Sequence, residues 1–401
     1  MYIIQDQTKL LCSLLICIFI LCLSTGINAQ RSSDEYLQRA ELMYAKVWNH
    51  YRVSAHPGLF TENFPSRGAD TLTYMEGGGV KEKAVSFLWP VSGMFSATNV
   101  LLQIPSLKSK YRPYLDTCVI GMEKYKDTTR SPNGYQAYPI TFEKSDRYYD
   151  DNGLVGIDYM ESYFNTKNPA YLKRAEEVFK FILSGWNNDL GGAVTWLEGH
   201  KDQKPACSNG TATLVALKLY EGSNNKFYLN WGKNFYEWMY HNLLDSTGVV
   251  SNDKKLDGKV NRTFYTYNSG FMLEAAALLY KFTGDKQYLE QAKQLAKNSY
   301  KYFSTVPHDK NLSINIDLPW FVTVLFRGYE ALYQLDGDYQ YIASIEKDLN
   351  YAWQNSRDSY GFVTHSWTPK PDELAKAKWL LDEGCIAELY GRLSILQKSK
   401  K

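Results

Sequence analysis

A tyrosine followed by leucine or isoleucine, set after a turn and ahead of a charged amphipathic stretch, recurs along this chain. The copies are Tyr36-Leu37, Tyr114-Leu115, Tyr171-Leu172, Tyr228-Leu229, Tyr288-Leu289 and Tyr341-Ile342. From the second copy onward the steps are 57, 57, 60 and 53 residues. A step of that size holds two helices with their connections, and its regularity marks one supersecondary unit used six times. The turns agree: Lys167-Asn168-Pro169, Thr283-Gly284-Asp285 and Asp336-Gly337-Asp338 precede their tyrosines with residues that favour tight reversals.

Between the charged helices lie smoother segments, richer in small and apolar residues, as inward-facing helices should be. They are predicted to start near Trp89-Pro90, Asp150-Asp151, Ser208-Asn209, Asn268-Ser269, Pro319-Trp320 and Trp379-Leu380. Gly93, Ser96 and Ala97 in the first, and Ala275, Ala276 and Ala277 in the fourth, leave room for neighbouring backbones to approach. Six outer and six inner helices close on themselves, so the predicted fold is all-α, an (α/α)6 barrel of six helical hairpins. The loops leading into the inner helices gather at one end of such a barrel, and that end is the candidate site.

The first residues stand apart from the repeat. Lys9 precedes an apolar run from Leu10 to Leu23, and Ser24-Thr25-Gly26-Ile27-Asn28-Ala29 then supplies small residues, the layout of a secretory signal peptide over residues 1–29. The expected mature chain, 30–401, has no further apolar run long enough to span a membrane and no linker at which to divide it, so one large barrel domain is expected. The leader holds Cys12, Cys17 and Cys22, none after the small residue of a lipoprotein signal, which points to the bacterial periplasm or the outside of the cell. Cys118, Cys207 and Cys385 remain, too few and too far apart for a disulfide framework. A formal charge of +2 with acids and bases interspersed offers no footprint for nucleic acid, and a monomer is expected. Aromatic residues make up 15% of the chain, a supply suited to stacking on sugar rings as well as to core packing.

Asp150 and Asp151 stand side by side where an aromatic loop runs into an inner helix. Consecutive side chains diverge by about 100° inside a helix, so both reach a cleft only where the backbone is still turning. At a helix start the free N–H groups and the dipole hold one carboxylate ionised, while its charge raises the proton affinity of the other. Such a pair divides into nucleophile and proton donor. Read singly, the doublet is also an N-cap with an acid in the first turn, and the Asn and Ser residues that open the other inner helices also read as caps. Trp196 follows Gly191-Gly192 in a short strand-like run that places an indole on the cleft wall or in the core.

The phrases Phe87-Leu88-Trp89-Pro90, Tyr148-Tyr149-Asp150-Asp151-Asn152, Gly191-Gly192 with Trp196, Ala206-Cys207-Ser208-Asn209-Gly210 and Tyr265-Thr266-Tyr267-Asn268 with Gly270 resemble, in that order, glycoside hydrolase family 76. The resemblance runs from about Tyr36 to Leu396. Members of that family are endo-α-1,6-mannanases that fold as (α/α)6 barrels and cleave the α-1,6-mannosidic backbone of microbial mannan with retention. The resemblance implies Asp150 as nucleophile and Asp151 as general acid/base. Around that pair, Trp89, Tyr149, Trp196 and Tyr267 are expected as stacking surfaces, and Asn152, Ser208, Asn209 and Asn268 as partners of sugar hydroxyls. Gly153 stands where many relatives carry a larger residue, and Asp158 adds an acid further down the same inner helix.

Two rivals remain at this stage: another glycosidase, lyase or epimerase on the same barrel, and a glycan-binding protein without turnover. The six histidines fall outside the inner-helix starts, which argues against a two-histidine epimerase, and Arg147 is the one notable cation there, which argues against uronate substrates. Retention of both acids argues against a pure binding protein. No cofactor is expected and no metal, since no His/Cys/acid cluster has ligand spacing.

Overall fold

The computed structural model describes residues 32–66, 84–142 and 144–399; the expected leader, 1–29, lies outside them. Outer and inner helices alternate along the chain: α1 (32–51) and α2 (Leu88–Gln103), α3 (Lys108–Glu123) and α4 (Tyr149–Thr166), α5 (Pro169–Ser184) and α6 (Ala206–Ser223). The second half repeats this with α7 (Lys226–Asn242) and α8 (Thr266–Thr283), α9 (Lys286–Thr305) and α10 (Pro319–Asp336), α11 (Gln340–Asn355) and α12 (Leu380–Ser399). Each even-numbered helix packs on the next and α12 closes on α2, which completes the predicted ring. Among the described residues no helix is long and apolar enough to cross a membrane.

Burial explains the two helix types. Helix α2 buries every residue but Gln103, whereas α9 buries Tyr288, Gln291, Ala292, Leu295, Ala296, Ser299 and Phe303, one stripe at helical spacing. The outer helix thus shields the inner one and keeps its charges in water.

The passage from inner to outer helix follows one recipe four times. A left-handed residue ends the inner helix, at Lys167 (φ 57°), Asn224 (φ 56°), Gly284 (φ 69°) and Gly337 (φ 73°). The next residue, Asn168, Asn225, Asp285 or Asp338, accepts the backbone N–H two positions on at 3.0 Å. These reversals are tight, so the long connections all fall at the other end of the barrel.

Inner helices touch most closely at glycines. A Cβ on Gly270 would lie 2.6 Å from the Leu325 nitrogen, and one on Gly328 would lie 2.8 Å from the Gly270 oxygen, so α8 and α10 cross backbone against backbone. Ala275, Ala276 and Ala277, further along α8, are all buried as expected of an inner helix. Gly153 has a similar reason: its Cβ would overlap Thr211 Oγ1 of α6 at 2.2 Å.

Below this level all six inner helices contribute to one buried polar layer. Arg327 forks onto Glu388 with both bonds 2.7 Å and donates to Ser96 at 2.9 Å. Arg392 joins Glu388 to Glu330, and Lys218 joins Glu161 to Glu274. Burial alone would raise the Glu388 carboxyl, but Arg327 and Arg392 outweigh it and hold the group at about 2. Its folded value lies below the ordinary glutamate value of 4.5, so this stabilisation is complete above that pH and is lost as pH falls toward 2. Asp158, the acid noted in the sequence, belongs to the same layer; burial raises its pKa well above the carboxylate range.

Removing a partner from such a layer leaves a charge buried without compensation. Arg327→Met should lower stability by about 3 kcal/mol or more, read by thermal or urea unfolding. An unchanged transition would mean that the layer contributes packing alone.

Candidate active site

The inner helices present their second residue to a common space. Trp89 of α2, Asp150 of α4, Cys207 of α6, Tyr267 of α8 and Trp320 of α10 all line one cavity of about 820 Å³. Four residues further on, Leu154, Thr211 and Phe271 continue the wall, as one helical turn along the same face requires. The sequence reading placed Trp89 and Tyr267 here but passed over Cys207 and Trp320. Their shared position in the first turn is the signal that finds them.

Asp150 and Asp151 both line the cavity, in the first turn of α4. A loop strand fixes that turn. Tyr148 bridges Leu197, the Tyr149 N–H donates to the Trp196 carbonyl at 2.9 Å, and the Glu198 N–H donates to the Arg147 carbonyl at 3.1 Å. The expected strand-like run after Gly191-Gly192 therefore exists and pairs with the start of α4. It carries Trp196, whose indole Nε1 donates to Asp150 Oδ2 at 3.1 Å. Four consecutive residues with positive φ, Leu190, Gly191, Gly192 and Ala193, turn the chain into this run. At Gly192 (φ 124°) a Cβ would also meet the Trp186 ring at 2.7 Å.

Arg147 is buried beneath the pair, not offered to a ligand. Its guanidinium is forked by Glu198, donates to the Pro132 carbonyl at 2.9 Å and lies 4.8 Å over the Phe181 ring.

The two acids differ in surroundings. Burial raises the Asp150 pKa, opposed by the Cys207 thiol, the Trp196 indole and the backbone N–H groups of the helix start. Asp151 is raised well above the usual range, first by burial and then by the charge of Asp150. The like charge expected to separate the pair is present, and burial is the larger cause.

Not every expected contact residue reaches the cavity. Tyr149 turns away: its ring stacks on Phe181 at 4.9 Å, against Gly185. Asn152 has its amide committed, accepting from the Tyr135 N–H at 2.7 Å and donating to the Tyr135 and Tyr148 carbonyls at 2.8 and 2.7 Å. Asn209 repeats the pattern on Val194 and Pro205. The same position, fourth in its helix, holds Ser269, which accepts the Val250 N–H, and Glu383, which accepts the Val363 N–H. These side chains clasp the preceding loop, and none of the four lines the cavity. Ser208 and Asn268 are both fully buried, and the Asn268 amide donates to Asn252 at 3.5 Å.

Other walls come from loops that carry no helical period. Antiparallel strands at Gln203–Pro205, Ser251–Lys255 and Val260–Phe264 present Gln203, Asp253, Lys255 and Asn261 to the cavity. A register shift between Ser251 and Asp253 accompanies the arrival of Asn252 beside them. Alternation of Asp253 and Lys255 on one strand face is the sequence signal for this wall. Asp317 joins from the loop before α10, accepting from the Thr266 N–H and hydroxyl at 2.7 Å; burial still raises it to about 6. His365, set aside in the sequence because it precedes no inner helix, also lines the cavity.

The clasp assignment is testable. Asn152→Ala would leave the Tyr135 N–H and carbonyl without partners, at a cost of about 1–3 kcal/mol for an orphaned buried group. The melting temperature should drop while KM for a glycan substrate stays within about twofold; a large rise in KM without loss of stability would return Asn152 to the sugar.

Comparison with known proteins is consistent with this geometry. The family profile of Glycosyl hydrolase family 76 matches residues 35–341. Mannan endo-1,6-alpha-mannosidase DCW1 of Saccharomyces cerevisiae is 31% identical over 171 residues, which span 38% of this chain and 38% of that protein. The glycoside hydrolase family 76 mannosidase Bt3792 from Bacteroides thetaiotaomicron VPI-5482 superposes with a TM-score of 0.81 at 26% identity, covering 92% of this chain and 100% of that one. An α-1,6-mannanase of Salegentibacter sp. HEL1_6, solved as an inactive variant altered at two successive aspartates and in complex with α-1,6-mannotriose, shares the fold. Its TM-score is 0.70 at 22% identity, over 90% of this chain and 99% of that one. By profile and by fold, the chain belongs to glycosyl hydrolase family 76.

Proposed function

We propose that this protein is an endo-acting α-1,6-mannanase that hydrolyses the α-1,6-linked backbone of microbial mannan with retention. The observation that carries the reading is the unequal setting of two adjacent carboxyls on the cavity floor. One receives an indole N–H at 3.1 Å and faces a helix start; the other is buried beside its charge. The substrate class is supported by the mannan endo-1,6-alpha-mannosidase relatives and by the mannotriose held in the Salegentibacter enzyme.

The chemistry follows from that inequality. Asp150, the more easily ionised of the two, attacks the anomeric carbon, while Asp151 gives its proton to the departing glycosidic oxygen. Retention asks for carboxyl groups about 5–5.5 Å apart, a separation that neighbouring side chains at a helix start can reach. Formation of the glycosyl ester removes the charge of Asp150, and with it the second cause of the raised Asp151 pKa. Asp151 then accepts a proton from the water that cleaves the ester. Part of the rise comes from burial and relaxes as the leaving sugar makes way for water.

Azide separates the two roles. With unbranched α-1,6-mannan the wild type should release a ladder of oligosaccharides, and Asp150→Ala and Asp151→Ala should each lose at least about a hundredfold in kcat. Azide added to Asp151→Ala intercepts the ester and should yield the α-mannosyl azide, whereas with Asp150→Ala it enters directly and should yield the β-anomer, read by NMR. Exchanged anomers would reverse the assignment, and absence of any product from the folded wild type would reject the mannanase reading.

The pH profile should be a bell whose acidic limb reports ionisation of Asp150 and whose alkaline limb reports loss of the Asp151 proton. Both groups are raised, so both limbs should lie above the ordinary carboxylate range. Trp196→Phe removes a donor that favours the Asp150 anion and should move the acidic limb to higher pH. An unmoved limb would detach Trp196 from the nucleophile.

A further inference from the structure

The loop between α11 and α12 brings a histidine to the cavity in a fixed setting that the catalytic pair does not use. His365 Nδ1 bonds to Asp382 Oδ2 at 2.8 Å, and that carboxylate is buried in the first turn of α12. The chain on the near side is pinned as well. The Thr364 N–H and hydroxyl donate to the Ser356 carbonyl, and Val363 is clasped by Glu383. With Nδ1 occupied, Nε2 is the ring's remaining polar atom, and the side chain is 59% exposed where it lines the cavity.

Two neighbours complete a recognisable binding surface. The short strands Asn63–Phe64 and Lys378–Trp379 pair so that Asn63 lies opposite Trp379, and both residues line the cavity. The Trp379 indole nitrogen is held by Glu62, and its ring meets Trp89 edge-on at 5.4 Å. A fixed aromatic ring, an amide with donor and acceptor, and an imidazole backed by a carboxylate are the groups that bind a pyranose.

Resting on the mannanase reading above, we propose that His365, Trp379 and Asn63 form a further sugar subsite, which takes a neutral hexopyranose unit of the glycan beyond the one attacked by Asp150. The charged groups around His365 favour a neutral guest. Asp382 of α12 faces its ring, Glu373 of its own loop adds a weaker field, and Glu62 lies behind Trp379. The cavity itself carries Asp150, Asp151, Asp253 and Asp317 against Lys255 and His365, so a phosphorylated or uronic residue would meet net negative charge. Asp382 raises the His365 pKa, which keeps Nε2 a donor to sugar oxygens at mildly acidic pH and removes that donor as pH rises through its titration.

The test compares wild type, His365→Ala, His365→Gln and Asn63→Ala on α-1,6-manno-oligosaccharides of increasing length, with melting curves confirming the fold. For His365→Ala the loss in kcat/KM should grow with chain length to about tenfold or more on the longest substrate, mostly in KM. His365→Gln should recover part of the loss, and the rise of wild-type KM with pH should disappear in both histidine variants. An equal loss at every length, or none, overturns the subsite. If the wild type cleaves none of these substrates, the mannanase reading fails by itself. Calorimetric titration of mannotetraose then decides: weaker binding by His365→Ala upholds the subsite, and binding equal to wild type, or none by either, rejects it.

Discussion

A shared axial register of six inner helices governs what this molecule can place in its cavity. Because the helices are aligned, the second residue of five of them meets the same space, and residues one turn deeper form its wall. Two features hold the alignment. Glycines such as Gly270 and Gly328 fix where backbones cross, and the layer around Arg327 and Glu388 couples charges from different helices at one depth. Sliding one helix by a residue would bury an unpaired charge and swing a different side chain into the cavity. Register is a common condition of stability and site composition.

The acids gain their difference from what surrounds one helical turn. Adjacent residues in sequence share the dipole at the start of α4, yet only Asp150 has the Trp196 indole within reach. That indole arrives on a strand borrowed from the next long loop, and the fork of Arg147 on Glu198 locks the two segments together. Electrostatic asymmetry is thus imposed from outside the helix, by a loop turned through four successive residues of positive φ.

The barrel was legible because its parts repeat. The Tyr-Leu phrases mark the outer helices, and the predicted inner starts fall within a few residues of Leu88, Tyr149, Ala206, Thr266, Pro319 and Leu380. The site was legible in part. Asp150, Asp151, Trp89, Trp196 and Tyr267 line the cavity as the sequence suggested, whereas Asn152 and Asn209, in the same phrases, clasp loops. The phrases do not distinguish the second from the fourth residue of a helix until the boundary is fixed, and about 200° of rotation separates those two side chains. The polar strands Ser251–Lys255 and Val260–Phe264 escaped notice for a different reason. Ser251-Asn252-Asp253-Lys254-Lys255 has none of the apolar alternation that announces a strand, since its inner face is turned to the cavity and not to the core. His365 owes its place to a tertiary contact with Asp382 that no local pattern encodes.

Long loops lie at one end of the barrel and short reversals at the other. Each long loop between α3 and α8, and the one before α12, is fastened to the helix that follows it, through Asn152, Asn209, Ser269 or Glu383. A loop anchored in this way can be lengthened or exchanged beyond its clasp without disturbing its neighbours. Substrate preference can then drift loop by loop while the first turn of α4 stays in place, which makes the scaffold modular and a practical frame for grafting new glycan specificities.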